Sequence, residues 1–256
     1  MIISRTPLRI SFFSGGSDMP NFYEKEKGAA LSVTINKYIY VMMHKTPHLG
    51  IKIMYDTIEE FPDLETMQHA ITRESLKHFG IDKEVTIASI ADILAKGSGL
   101  GSSSAFTIGL VNVLANPDQH SSLVSREYLA QTAYMIEREL CKYPVGKQDQ
   151  YASAYGGMNL FEFHKDESVE IKPLTYNRET WGNLEDRLLL VYSGRGRNAN
   201  SILQKQAAAM SDETKFDLVR RSRDKAYVAA RYLKENKLDD FGSLLHDAWL
   251  DRKSVV

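Results

Sequence analysis

Gly97-Ser98-Gly99-Leu100-Gly101-Ser102-Ser103-Ser104-Ala105 is the stretch whose reading decides what kind of chain this is. Glycines at alternate positions let the backbone turn with positive φ and bring its N–H groups close to a ligand, where side chains would block the approach. From Ser102 to Leu114 apolar residues surround the axis, which predicts a helix buried on most sides and ended by Asn116-Pro117. The first N–H groups of that helix lack intrahelical acceptors and its positive end faces the loop, so a polyphosphate would be stabilised there. Ser102, Ser103 and Ser104 add hydroxyls, with Ser103 the candidate Mg²⁺ ligand. The stretch lacks the lysine of a Walker A loop and the sixth-position glycine of the dinucleotide fingerprint. A small-residue turn that lets a buried helix pack closely would read the same way, so the companions of the loop must decide between the two.

The 256 residues can bury one large core or two modest ones. The 32 basic and 33 acidic residues nearly cancel, which gives no global field favouring nucleic acid or an anionic membrane, and any polyanion site must be local. The single Cys141 cannot form an intrachain disulfide, and the opening residues lack the order of a signal peptide, so a cytoplasmic location is expected. Apolar runs such as Leu188 to Val191 are far shorter than the ~20 residues a membrane-spanning helix needs.

Periodicity predicts a mixed α and β chain. Strands are expected over Ile2 to Phe13, Ala29 to Met43, Ile51 to Tyr55, Val85 to Ile93, Met158 to Phe163 and Arg187 to Tyr192. Besides the helix after the loop, helices are expected over Leu64 to Phe79, Ser125 to Leu140 with Ser125 as cap, Asn198 to Met210, Lys215 to Glu235 and Leu238 to Arg252. Glu162 to Asn183 reads as polar and loop-rich, which sets a domain boundary near residue 165. Lys215 to Lys234 holds seven basic residues, which helical spacing assigns to a solvated face.

Two other segments carry chemistry. Pro7-Leu8-Arg9 leads through a strand to Gly15-Gly16-Ser17-Asp18, setting a planar cation and a carboxylate at its two ends. Arg9 can face phosphate and Asp18 can accept from the hydroxyls of a polyol, or the two can form a plain surface pair. Gly146-Lys147-Gln148-Asp149-Gln150-Tyr151 places Asp149 at a helix start, where it serves either as a cap or as the base that orients an acceptor hydroxyl and takes its proton.

Taken in this order, the three segments resemble the GHMP kinase superfamily, which includes galactokinase, homoserine kinase and mevalonate kinase. Within it the likeness is nearest to the sugar kinases acting on D-glycero-D-manno-heptose 7-phosphate, which share the Gly-Gly-Ser-Asp type of turn and the Gln-Asp-Gln-Tyr segment. The resemblance implies an α+β chain of two domains. Residues 1–165 would be an ATP-binding domain of the ribosomal protein S5 domain 2-like fold, and residues 166–256 a ferredoxin-like α/β domain. It also implies phosphorylation of a sugar or sugar phosphate hydroxyl, here the anomeric hydroxyl of the heptose 7-phosphate to give the 1,7-bisphosphate. A non-catalytic nucleotide- or sugar-binding relative is the alternative.

The implied roles fall on matching positions. Asp149 is the catalytic carboxylate, with Arg9 near the transferring phosphoryl group. Residues Gly97 to Ser104 bind ATP, with Asn36 and Tyr38 beside the adenine. Ser103 and Glu137 hold Mg²⁺, unless Glu137 is simply an exposed helix carboxylate. Gly15, Gly16 and Asp18 contact the sugar, and Arg195 or Arg197 its phosphate, unless these are solvated loop arginines. The implied partner is a small sugar phosphate, neither nucleic acid nor membrane, bound by a monomer or a homodimer. Many relatives carry proline where this chain reads Ile93-Leu94-Ala95-Lys96. Nothing after Val191 resembles the family's later glycine-rich segment, so the second domain is expected to be incomplete and the chain a truncated form.

Overall fold

The computed structural model describes residues 1–13, 15–47, 50–93, 97–116, 124–174, 178–191, 204 and 210–255. Their contacts divide the chain into two compact units that interleave along the sequence. One holds Met1–Leu8, Ile35–Tyr143 and Asp149–Tyr155, the other Arg9–Thr34, Pro144–Gln148 and Gly156–Val256. Strands β1 (Ile2–Phe13) and β2 (Gly28–Lys45) each pass from one unit's residues to the other's.

In the first unit the end of β2 pairs antiparallel with β5 (Val85–Ala91), from Ile39 opposite Ala91 to Lys45 opposite Val85. β5 runs parallel to β3 (Ile51–Met54), which forms a hairpin with β4 (Ile58–Phe61). The connection from this hairpin to β5 carries α2 (Ala70–His78), as a parallel crossover requires. α2 is shorter than its periodicity suggests because Asp63 accepts from the Thr66 N–H in a local turn (3.0 Å), and His69 then caps the helix by accepting from Thr72 N–H (3.3 Å).

α3 (Ser102–Ala115) follows the glycine loop and is buried at nine of its positions, Ser104 and Thr107 among them. A Cβ on Gly109 would meet Val41 Cγ2 at 2.9 Å and Thr6 Oγ1 at 3.1 Å, so this glycine lets α3 lie directly on the strands. α4 (Arg126–Met135) begins with Ser125 accepting from the Tyr128 N–H, and continues into a π turn over Ile136–Leu140. Leu129, Ala133 and Glu137 recur at four-residue intervals, so the buried face of α4 carries a carboxylate at its end.

In the second unit the start of β2 pairs antiparallel with β6 (Met158–Phe163), and β6 with β7 (Val169–Pro173). β6 is buried along its whole length. Phe13, Leu31, Met158 and Leu160 form one core with Ala226, Ala229 and Leu233 of α7 (Glu213–Lys234) and Phe241 of α8 (Leu238–Val255). Phe12 and Phe13 meet Phe241 edge-on at 5.3 and 5.6 Å. Two expectations need correction. The supposed loop after Glu162 contains β7 and α6 (Arg178–Glu185), their short patterns hidden among polar residues. Leu188 to Val191 form no strand; their side chains are 41, 87, 59 and 71% exposed, and among the described residues no strand pairs with them. Among the described residues no helix is long and apolar enough to cross a membrane. The helix expected over Asn198 to Met210 lies largely outside the described residues.

Candidate active site

Gly97, Gly99 and Gly101 take φ of 72°, 77° and 71°, the left-handed region that an ordinary side chain enters at a cost of about 1–2 kcal/mol. Ser98 and Leu100 between them stay at negative φ. Alternation of this kind suits an anion-binding concavity, here leading into the start of α3, with the Leu100 N–H donating to Ser98 Oγ (3.3 Å). Leu100 is buried and ties the loop down, while Gly99 is exposed.

Behind the loop lies a buried polar cluster. Glu137 is 0% exposed. Its Oε1 accepts from Thr107 Oγ1 at 2.5 Å, and its Oε2 accepts from Ser104 Oγ at 2.9 Å and Gln150 Nε2 at 2.6 Å. All three donors are neutral. Burial pushes the Glu137 carboxyl up to about 7, against the lowering effect of these hydrogen bonds, and the nearby Asp149 charge pushes the same way as burial. The serine bonded to Glu137 is thus Ser104, whereas Ser103 is exposed and its carbonyl accepts from Thr107 Oγ1 (3.0 Å).

The group fits Mg²⁺. Glu137 still has acceptor capacity on Oε1, and the Oε1 of Gln150, itself 0% exposed, has no hydrogen-bond partner. Hard oxygen donors of this kind, next to the glycine loop, suit a small divalent cation.

Asp149 is the second residue of α5 (Gln148–Tyr155) and is half-buried, between the buried Gln148 and Gln150. The other end of α5 is held to α4, where Glu127 accepts from Tyr151 Oη (2.7 Å) and Tyr155 Oη (2.8 Å). Asn36 is exposed on β2, and Tyr38, whose N–H donates to Asp92 (2.9 Å), lies beneath the Arg5 guanidinium at 4.7 Å.

In the second unit, Arg9 and Asp18 are each 8% exposed. Asp18 Oδ1 accepts from the Gly16 N–H (3.0 Å) and Oδ2 from the Gln148 N–H (3.2 Å). The second bond caps α5 from outside its own segment. Gly146 is required here, because a Cβ at that position would stand 2.0 Å from Asp18 Oδ2. Ser17 fastens the same turn to β2 by exchanging hydrogen bonds with Ala29 (2.9 and 3.1 Å). Gly15 is half-buried and Gly16 buried. Arg195 and Arg197 lie outside the described residues, as do Leu94 to Lys96.

Sequence reasoning missed Ser104, Thr107 and Gln150 as the partners of Glu137. The first two had a signal, since hydroxyls three apart on an otherwise apolar helix share a face. Gln150 had none beyond its place next to Asp149.

Residues 65–157 match the model of the GHMP kinases N terminal domain. The chain is 28% identical over 272 residues to the D-glycero-alpha-D-manno-heptose 7-phosphate kinase of Campylobacter jejuni, covering 99% of this chain and 78% of that protein. Its fold is similar to the crystal structure of a D-glycero-D-manno-heptose 1-phosphate kinase from Bacteroides thetaiotaomicron, with a TM-score of 0.80 at 23% identity, covering 99% of this chain and 79% of that one. It is also similar to the phosphomevalonate kinase of Streptococcus pneumoniae solved with phosphomevalonate and AMPPNP, with a TM-score of 0.75 at 13% identity, covering 100% and 81%.

Proposed function

We propose that this protein, whose residues 65–157 match the model of the GHMP kinases N terminal domain, transfers the γ-phosphoryl group of ATP to a hydroxyl of a sugar or sugar phosphate. The acceptor we infer is the anomeric hydroxyl of D-glycero-D-manno-heptose 7-phosphate, with the 1,7-bisphosphate as product, a choice supported by the relative of 28% identity. The observation that carries the reading is the left-handed glycine loop set before a buried carboxylate whose donors are all neutral. A loop of this kind takes the phosphates, and a carboxylate of this kind takes the cation that neutralises them.

In this reading the N–H groups of Gly97 to Ser104 hold the nucleotide phosphates, with Asn36 and Tyr38 beside the base. Glu137 holds Mg²⁺ together with a serine hydroxyl, for which the sequence favours Ser103 and the hydrogen bonding favours Ser104. The ion would supply charge neutralisation on the phosphates. Asp149 orients the acceptor hydroxyl and takes its proton as the bond to phosphorus forms, and Arg9 offsets charge on the transferring group. Asp18, held in place by the Gly16 and Gln148 amides, accepts from a sugar hydroxyl beside Gly15 and Gly16. Arg195 or Arg197 takes the sugar phosphate.

An ADP-release assay over a panel of sugars and sugar phosphates, with product position read by phosphorus NMR, tests the reading. ADP formed in proportion to the heptose 7-phosphate, with a new anomeric phosphate, is the expected result. Nucleotide binding without turnover on any member of the panel would instead mark a binding protein.

A further inference from the structure

Lys147, two residues before Asp149, has no part in the chemistry above, yet it is 4% exposed. Its ammonium donates to the carboxylate of Glu167 and to the Glu167 carbonyl at 2.7 Å, and lies over the Tyr23 ring at 4.7 Å. Tyr23, itself fully buried, donates its hydroxyl to the same carboxylate at 2.9 and 3.2 Å.

Glu167 occupies the turn between β6 and β7 with a φ of 69°. Glycine takes that conformation freely, whereas a residue with a Cβ is strained by about 1–2 kcal/mol. Backbone comfort alone would therefore select glycine, and the carboxylate must answer another demand. Stability supplies little, because the Glu167 side chain is 57% exposed and an ion pair open to solvent on one side is worth only about 0–1 kcal/mol.

The demand lies in what Lys147 is attached to. Gly146 to Gln148 is fixed at three other points: Lys147 N–H to Asp18 O (3.2 Å), Gln148 N–H to Asp18 Oδ2 (3.2 Å), and Gln148 Nε2 to Ser11 Oγ (2.5 Å). All three lead to β1 and the turn after it. The Lys147–Glu167 contact adds an anchor in a different place, the β6–β7 hairpin. Gln148, the last residue of that segment, is the first residue of α5, and Asp149 follows it directly.

We propose that Lys147 and Glu167 form a clamp whose task is to position Asp149 for proton abstraction, with Tyr23 holding the carboxylate in place. The proposal rests on Asp149 being the base of the reaction proposed above. Displacing a reacting group by an ångström can lower a rate by about 10²-fold, so a clamp remote from the substrate can still govern turnover.

The test uses Glu167→Gly, which relieves the turn while removing the carboxylate, Lys147→Met, which keeps most of the side-chain volume, and Glu167→Asp as the conservative rescue. Amide hydrogen exchange over Gln148 to Tyr151 is read beside kcat, KM for ATP and melting temperature. Both disruptive variants are expected to speed exchange in that segment about tenfold and lower kcat about tenfold or more, with KM for ATP within about twofold; Glu167→Asp should recover part of kcat. Unchanged exchange overturns the clamp, and faster exchange with unchanged kcat overturns its role in positioning. A fall in kcat matched by a rise in KM for ATP and a lower melting temperature also overturns that role, because it marks a general structural defect. Should the wild-type protein turn over no sugar, the kinase reading fails separately, and exchange alone judges the clamp.

Discussion

Glu137 and Glu162 are both buried carboxylates, 0 and 2% exposed, and their surroundings treat them in opposite ways. At Glu162, on β6 of the second unit, burial would raise the carboxyl, but Lys172 at 2.8 Å and Lys27 at 3.2 Å overcome it and hold the group down at about 2. Its countercharge is built into the fold. At Glu137, in the first unit, burial dominates over three neutral donors and the group rises to about 7. Folding has left that charge without a cation of its own among its hydrogen-bond partners. A buried carboxylate with fixed lysines is scaffolding, whereas one surrounded by hydroxyls and an amide beside the glycine loop is, in the proposed reading, completed by an ion from solution.

The largest effect should come from removing the unpaired charge. Glu137→Gln is expected to lower Mg²⁺-dependent turnover by about 10²-fold, the scale of a lost metal ligand. The same variant should make the metal-free protein more stable at pH 8, by about 3 kcal/mol in a urea titration. The sign follows from the raised pKa. The folded state keeps the Glu137 proton up to about pH 7 while the unfolded chain releases it near 4.5, so metal-free stability falls as pH rises through that window. In Glu137→Gln the fall should disappear, since glutamine can still accept from Ser104 and Gln150 and offer its amide toward Thr107.

Glu162→Gln should do the reverse and lose about 1–3 kcal/mol at pH 7 by leaving two lysines without their shared partner. Because the pKa of Glu162 is depressed, its contribution is present above about pH 4.5 and is lost as pH falls toward 2. Acid titration of the variant beside wild type would show that arm missing. The smallest effect is expected from Thr107→Val, which removes one hydrogen bond that lowers the Glu137 pKa. The pH at which metal-free stability levels off should then move upward from about 7. A shift downward would mean that Thr107 does not donate to Glu137.

The residues that were easiest to read from sequence are those where local chemistry and tertiary role agree. Alternate glycines before a mostly apolar helix read as a turn against a buried helix, and Gly97 to Ala115 folds that way. Ser125 is read as a cap and caps α4. Leu188 to Val191 show the opposite case, because an apolar run specifies burial only where neighbouring strands exist, and here the side chains are exposed. The shared face of Ser104 and Thr107 was legible, but their pairing and that of Gln150 with Glu137, and of Gln148 with Asp18, was not, since these bonds join positions 13 to 130 residues apart and no short-range pattern encodes such distances. The glutamate at a left-handed turn position was readable neither as a turn signal nor as a clamp until Lys147 was placed beside it.

Placing Asp149 as the base of phosphoryl transfer is the centre of the account, and Asp149→Asn tests it most directly. Turnover on the responding sugar should be measured by ADP release, with ATP affinity measured by calorimetry on the same preparation. A fall in kcat of about 10²-fold or more is expected, with ATP affinity within about threefold of wild type. Turnover equal to wild type, with ATP bound normally, would contradict it.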